Sequence, residues 1–268
     1  MPCLALLLIG GLVPLDVKAL LKDREAESVR YRNPRASPLS AVARHDLAVG
    51  QTVRIGSLPN CDVRLEGIQP PAVVLKALED GFEMDGQRVP PSTTFTLGRY
   101  TLRLSHQNFP AVLVLDPKSP AAAKGPFPIW FDPDPEASVE ATLEKEPPHE
   151  EEILSTRGNK RKALRLGKLH FTLHGQELTL TALRLLEPGT DEKAVSIFFR
   201  DRTSGHESYP VGRYIDAELL PSGNYALDFN RAYNPSCAFS PLYNCPIPPK
   251  ENQLAVAVRA GERDPGGH

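Results

Sequence analysis

Residues 228–252 have the most unusual composition of the chain, with two cysteines, five prolines and two tyrosines in 25 residues. Side chains alternate along a strand, so Leu227 and Phe229 would point to one side. Asp228 and Asn230 would point to the other side, where a carboxylate beside a carboxamide suits recognition of hydroxyls, amides or a cation. The two groups could instead hold the proline-rich loop, whose carbonyl groups need partners elsewhere. Both interpretations stay open on sequence alone.

A second polar cluster follows the apolar run VSIFF at 195–199. Polar groups at the end of a rigid buried strand are well placed for function. Arg200 and Arg213 could bind a carboxylate or phosphate through paired hydrogen bonds, or could join nearby acids in a buried network. The candidate ligand-binding residues of the two clusters are Arg200, Asp201, Thr203, Glu207, Tyr209, Arg213, Asp228, Asn230, Arg231, Tyr233 and Asn234.

Three functions fit these residues. The leading hypothesis is a binding module whose polar pocket holds a small polar molecule, with tyrosines as flat walls. The alternative is a hydrolase that uses Asp228 or Glu207 as general acid or base. The third is a structural or interaction protein in which the polar residues form an internal network. Whether the chain is an enzyme stays open.

Cys237 and Cys245 are the close pair among the four cysteines of the chain. In an exported protein they would join in a disulfide that closes a small loop. They could also supply half of a zinc site with His206, or a thiolate activated by Arg231. Two packed, inert thiols are the remaining interpretation.

His170 and His174 would share one face of a strand, which suggests a metal site. Four residues at about 3.3 Å each separate them by roughly 13 Å, too far for one ion bound at about 2 Å. No metal and no cofactor are therefore predicted. The sequence has no Gly-x-Ser-x-Gly elbow, phosphate loop, HExxH or Cys-x-x-Cys.

Composition predicts the elements that must position these residues. The 27 prolines and 19 glycines indicate many turns and few long helices. One helix is predicted over 16–30, with Asp16 as its cap, and period-two alternation elsewhere predicts a mostly β fold. An acidic strand within 136–152 should pair with a basic strand within 157–168. The net charge of −2 excludes a globally basic nucleic-acid-binding surface.

Three regions follow from these patterns. Residues 1–40 hold an apolar segment and the helix, 45–116 form a small β-sandwich, and 126–268 form an antiparallel β domain after a Pro/Ala/Gly-rich linker at 117–128. The first 15 residues suit a signal-peptide core or an apolar segment packed on the domain, and are too short to span a bilayer. They favour an exported or periplasmic location by a narrow margin over a cytoplasmic one.

The two polar clusters, FRDRTSGHESYPVGRYID and LDFNRAYNPSCAFSPLYNCPIPPKENQLAVAVRAGE, resemble the core of the family catalogued as domain of unknown function 1684. The likeness extends back through LGKLHFTLHGQELTL and FDPDPEASVEATL. It implies relatives that are mostly bacterial and have no assigned activity. The matching positions are Arg200, Asp201, Thr203, Gly205, Glu207, Tyr209, Gly212, Arg213, Tyr214, Asp228, Asn230, Arg231, Tyr233, Asn234, Cys237, Cys245 and Asn252.

The first β module is similar to a forkhead-associated β-sandwich, through IGSLPNCDVRL at 55–65 and LGRYTL at 97–102. Such domains bind phosphothreonine through an arginine after the first glycine and a later Ser-Arg-x-x-His stretch. Ser57 stands at the arginine position, and IQPPA occupies the later stretch. Phosphopeptide binding is therefore not expected.

Overall fold

The computed structural model describes residues 11–69 and 71–266. The longer helix, α1, spans Val17–Arg32, and the Asp16 carboxylate accepts a hydrogen bond from the Ala19 amide at 2.9 Å. The predicted helix and its cap are confirmed. Within the described ranges, no helix is long and apolar enough to cross a membrane. The apolar segment predicted at 1–15 lies mostly outside these residues.

In its described part, the first module has nine strands: β1 (Ala41–Asp46), β2 (Thr52–Gly56), β3 (Val63–Arg64), β4 (Val73–Ala77), β5 (Phe82–Met84), β6 (Gln87–Val89), β7 (Thr94–Leu97), β8 (Tyr100–His106) and β9 (Pro110–Leu115). They form one sheet in the order β1-β9-β8-β7 and another in the order β3-β2-β4-β5-β6. Buried side chains from both sheets, including Ile55, Leu75 and Leu104, share one core. The likeness to a forkhead-associated domain stays a prediction.

The predicted linker contains the short helix α2 (Pro120–Lys124), so it is partly folded. Five short 3-10 helices also occur in the described chain: Pro38–Ser40, Pro135–Ala137, Phe229–Arg231, Ser236–Ala238 and Lys250–Asn252.

Seven strands form the described C-terminal sheet: β10 (Ser138–Leu154), β11 (Lys160–Leu173), β12 (Gln176–Leu185), β13 (Ser196–Phe199), β14 (Arg213–Asp216), β15 (Glu218–Leu219) and β16 (Tyr225–Asp228). Their order is β14-β13-β12-β11-β10-β16-β15, and every pairing is antiparallel. The mostly β fold class is confirmed.

The acidic and basic strands pair as the charge pattern predicts. Residues of β10 face residues of β11 with Glu144 opposite Lys168, and Lys160 Nζ donates to Glu152 at 2.9 Å. Exposed pairs of this kind stabilise a protein by about 1 kcal/mol or less, so they favour this pairing without dominating it. The charged stretch is therefore explained by strand pairing.

Two segments outside the sheet close over the C-terminal domain. After β16, residues 254–260 pack against the core of this domain through the buried side chains of Leu254, Val256, Val258 and Ala260. At the other end of the sequence, the Val13 amide donates to the Ser138 carbonyl at 2.9 Å. Because this contact leads directly into α1, the helix is docked on the C-terminal domain.

Candidate functional site

Arg213 and Asp201 form an ion pair in the interior, with both side chains 0% exposed and a 2.8 Å contact. Arg213 also donates to the backbone carbonyls of Val258, Ala260 and Glu262. Both groups were predicted to line a pocket, but they instead hold the extended 254–262 run against the sheet. Burial lowers the pKa of Arg213, while the neighbouring carboxylate opposes that shift.

Asn230 likewise acts inside the fold. Its side chain is 1% exposed, accepts from the Asp134 amide at 2.7 Å and donates to the Asp134 carbonyl at 2.8 Å. Asp228 caps the 3-10 helix at Phe229–Arg231 by accepting from the Asn230 amide, and it contacts Arg231 at 3.3 Å. The strand alternation therefore ends at Asp228, and the two side chains do not share an open face.

The upstream candidates do not gather around one opening. Thr203 is buried and bonds Ser208 at 2.7 Å, and Arg200 Nε donates to the Val211 carbonyl at 2.9 Å. Glu207 pairs with Arg259 at the surface, and this partner lowers the pKa of the Glu207 carboxyl group.

Cys237 and Cys245 are both buried free thiols, without the disulfide that export would favour. Tyr209 donates its hydroxyl to Cys237 Sγ at 3.7 Å. The hydrogen bond between the two thiols lowers the pKa of Cys237 and raises that of Cys245. Among the described residues, no three histidine, cysteine or acidic side chains gather as metal ligands, so the zinc alternative lacks further ligands.

A cleft of about 280 Å³ opens between α1 and the C-terminal domain, and we call it the α1 cleft. One wall comes from α1 at helical spacing, with Leu20, Asp23, Arg24 and Glu27. The opposite wall is Trp130 with residues 230–233, and Glu262 lies between them. The cleft contains Asn230, Arg231 and Tyr233 of the predicted site, together with residues that the sequence reasoning missed.

Glu262 is held deep in this cleft, with 3% of the residue exposed. Its Oε2 accepts from the Asn234 amide at 2.8 Å, and its own amide donates to the Ala232 carbonyl at 2.8 Å. The preceding Gly261 has φ +78°, and a Cβ there would lie 2.5 Å from the Ala232 carbonyl oxygen. Glycine thus permits the close approach that places Glu262 beside residues 232–234.

Burial raises the pKa of the Glu262 carboxyl group to about 8, against a usual 4.5. A buried carboxylate lacks solvation, and no ion pair to Glu262 occurs among the described residues. The group is therefore a neutral carboxylic acid near pH 7, able to donate one hydrogen bond. Its Oε1 has no hydrogen-bond partner within the described part of the chain.

Arg24 reaches across the cleft from α1. It donates to the Phe131 carbonyl at 2.9 Å and the Asn230 carbonyl at 3.3 Å. Its guanidinium carbon lies 5.9 Å from the centroid of the Trp130 ring, within range of a cation–π interaction. Its Nε is buried without a partner, and burial lowers the pKa of the guanidinium group.

Asp228, Arg231 and Tyr233 also line a neighbouring groove of about 390 Å³. Tyr233 is 37% exposed and donates its hydroxyl to Asp216 at 3.1 Å. Arg231 and Tyr233 thus form the ridge between this groove and the α1 cleft.

Two sequence signals point to the residues that were missed. Trp130 is the single tryptophan of the chain, and Glu262 ends a run, LAVAVRAGE, that is apolar apart from Arg259. Arg24 carries no such signal, because charged residues surround it on an exposed helix.

The amino-acid sequence of the C-terminal half matches a known family. Residues 129–263 match the model described as "Protein of unknown function (DUF1684)", which is 135 of the 268 residues. The NMR structure of an uncharacterized protein from gene locus rrnAC0354 of Haloarcula marismortui is 37% identical, with 53% of this chain and 78% of that chain covered and a TM-score of 0.42. No curated protein matches. The chain therefore belongs to the DUF1684 family of proteins of unknown function.

Proposed function

We propose that the protein binds a small polar molecule in the α1 cleft. The observation that carries the proposal is Glu262, a carboxyl group that lines a cleft while 3% exposed and has one oxygen without a described partner. Glu262 Oε1 is not among the fully enclosed atoms that lack a partner, so this oxygen can bond a ligand or water in the cleft.

The surroundings support binding. Trp130 supplies a flat wall, and Arg231 and Tyr233 bring two of the predicted ligand-binding residues, with partly exposed side chains, to the same opening. Large aromatic walls with a few fixed polar groups are typical of small-molecule sites.

The hydrolase alternative gains no support at its named residues. Asp228 contacts Arg231, and Glu207 pairs with Arg259. A general acid or base needs a free carboxyl group whose pKa lies near the working pH. The structural alternative accounts for Asp201, Arg213 and Asn230, because their side chains bond within the fold. It does not account for the polar groups that line the α1 cleft.

A thermal-shift screen of small polar molecules tests the proposal, run on the wild type and on Trp130→Leu. We expect a ligand whose shift is lost in Trp130→Leu and kept in Ile129→Ala, an exposed apolar change one residue away. A ligand that stabilises Trp130→Leu as well as the wild type would place binding elsewhere and contradict the proposal.

A further inference from the structure

We infer that the α1 cleft takes a small organic carboxylate, with the ligand carboxylate lying between the Arg24 guanidinium and the Glu262 carboxyl group. This inference rests on the proposed function and names the class of ligand. It is carried by one cation without an ion pair, Arg24, and by one carboxyl oxygen of Glu262 without a hydrogen-bond partner among the described residues.

The other charged side chains of the cleft are already paired. Arg231 contacts Asp23 at 2.7 Å, and Glu27 is paired with Arg30 of the same helix. Arg24 differs, because within the described ranges it has no ion pair and uses only two of its five N–H groups, both on backbone carbonyls. The Asp228 and Asp132 carboxylates act on Arg24 electrostatically, but neither forms an ion pair with it. An anionic ligand would supply the close partner that this partly buried cation lacks.

Glu262 complements this cation as a hydrogen-bond donor. With Oε2 accepting from the Asn234 amide, the proton of the neutral acid belongs on Oε1, where a ligand oxygen can accept it. Several groups act on this carboxyl group. Arg24, Arg30 and Arg213 favour its ionised form, Glu27 opposes it, and the Tyr31 and Tyr233 hydroxyls also lie within electrostatic range. Burial outweighs these three cations and raises the pKa of the carboxyl group to about 8.

The cleft disfavours the other ligand charges. An organic cation would seek the Trp130 ring, but Arg24 already lies over it and would repel a second cation. A phosphate dianion carries two negative charges, but only Arg24 among the described cations of the cleft lacks an ion pair. The second charge would therefore be buried without a counter-ion. Leu20 and Ala232 supply apolar lining beside Trp130, which suits a carboxylate that carries an apolar group.

Trp130 is the single tryptophan, so its fluorescence reports on this cleft directly. The probes are benzoate, its neutral counterpart benzamide, the cation benzylamine, and inorganic phosphate. We expect benzoate to change the Trp130 signal in a saturable way and to raise Tm, and the other three to do neither. Because benzoate requires protonated Glu262, its affinity should be about tenfold weaker at pH 9 than at pH 7.

Two variants separate this arrangement from a general effect of charge. Arg24→Met should weaken benzoate binding by about tenfold or more, as expected for loss of a hydrogen bond from a charged group. Lys22→Met removes the same charge from an exposed position of α1 and should leave binding unchanged. Glu262→Gln keeps a donor and an acceptor but cannot titrate, so it should bind benzoate at pH 7 without the loss at pH 9.

The outcomes distinguish this inference from the proposed function. If benzylamine or benzamide changes the Trp130 signal and benzoate does not, the cleft binds ligands but the inference is wrong. If benzoate binds equally well to Arg24→Met, or keeps its pH 9 loss in Glu262→Gln, the contacts assigned to it are wrong. If no probe affects either Trp130 or Tm, the inference falls, and the library screen on Trp130→Leu decides the proposed function separately.

Discussion

Glu262→Gln should make the protein more stable than the wild type at neutral pH and nearly equal to it in acid. The folded protein holds this carboxyl group at a pKa of about 8, against its usual 4.5. The folded state therefore binds one more proton than the unfolded state between these two values. Stabilisation by the protonated form is fully present below pH 4.5 and is lost as the pH rises towards 8.

The size of the effect follows from proton linkage. One pH unit in this window costs the wild type about 1.4 kcal/mol, so between pH 5 and pH 7 it should lose about 3 kcal/mol that Glu262→Gln keeps. The amide can still accept from Asn234, so its own hydrogen bond need not be lost. Other titrating groups act equally in both proteins and cancel in the difference.

Urea unfolding at pH 5, 6, 7 and 8, followed by Trp130 fluorescence, measures this difference. With a slope of about 3 kcal/mol per M, the midpoint of Glu262→Gln should move above the wild-type midpoint by about 1 M from pH 5 to pH 7. Glu25→Gln, an exposed change on α1, should follow the wild-type profile. Parallel profiles for Glu262→Gln and wild type would show that the carboxyl group is not protonated in the fold, and would refute the reasoning.

Three further predictions concern the structure around this site. Arg213→Met should lower the free energy of unfolding by about 3–5 kcal/mol, because it leaves the buried Asp201 carboxylate without its ion pair. Arg259→Met removes a partner from an exposed pair and should leave the urea midpoint unchanged. Gly261→Ala should cost about 1–3 kcal/mol, because φ is +78° and the new Cβ would meet carbonyl oxygens at 2.5 and 2.6 Å; an unchanged Tm would contradict this. Oxidised glutathione should join Cys237 and Cys245, taking up their two hydrogens, so that the number of thiols titrated after unfolding falls by two; an unchanged number would show that the pair resists oxidation.

Local periodicity made much of the fold predictable. Asp16 and the helix after it, the alternating strands, and the complementary charges of β10 and β11 depend on neighbours within one or two elements. The site was harder to predict from the sequence than the fold. Arg213 has the sequence pattern of an anion-binding residue, but its partners are carbonyls at 258–262, and only tertiary packing brings them together.

The period-two alternation of side chains gave a wrong prediction at residues 228–230. The pattern predicts that Asp228 and Asn230 lie on one face of a strand. In the structure, the Asp228 carboxylate accepts a hydrogen bond from the Asn230 amide and caps a 3-10 helix. Local side-chain bonds of this kind compete with strand geometry and are not visible in a period-two pattern. Glu262 was missed for a different reason: its burial depends on α1 and on residues 232–234, which are distant in sequence.

The docking of α1 on the C-terminal domain divides the cleft into parts of different origin. Trp130, residues 230–233 and Glu262 lie inside the family-matched region, whereas Arg24 comes from outside it. Residues 129–263 therefore supply the acid and the aromatic wall of the cleft, but not the cation opposite them. The charge that a ligand of the proposed site would meet is thus set by a helix outside the family-matched region, while the β domain fixes the other wall.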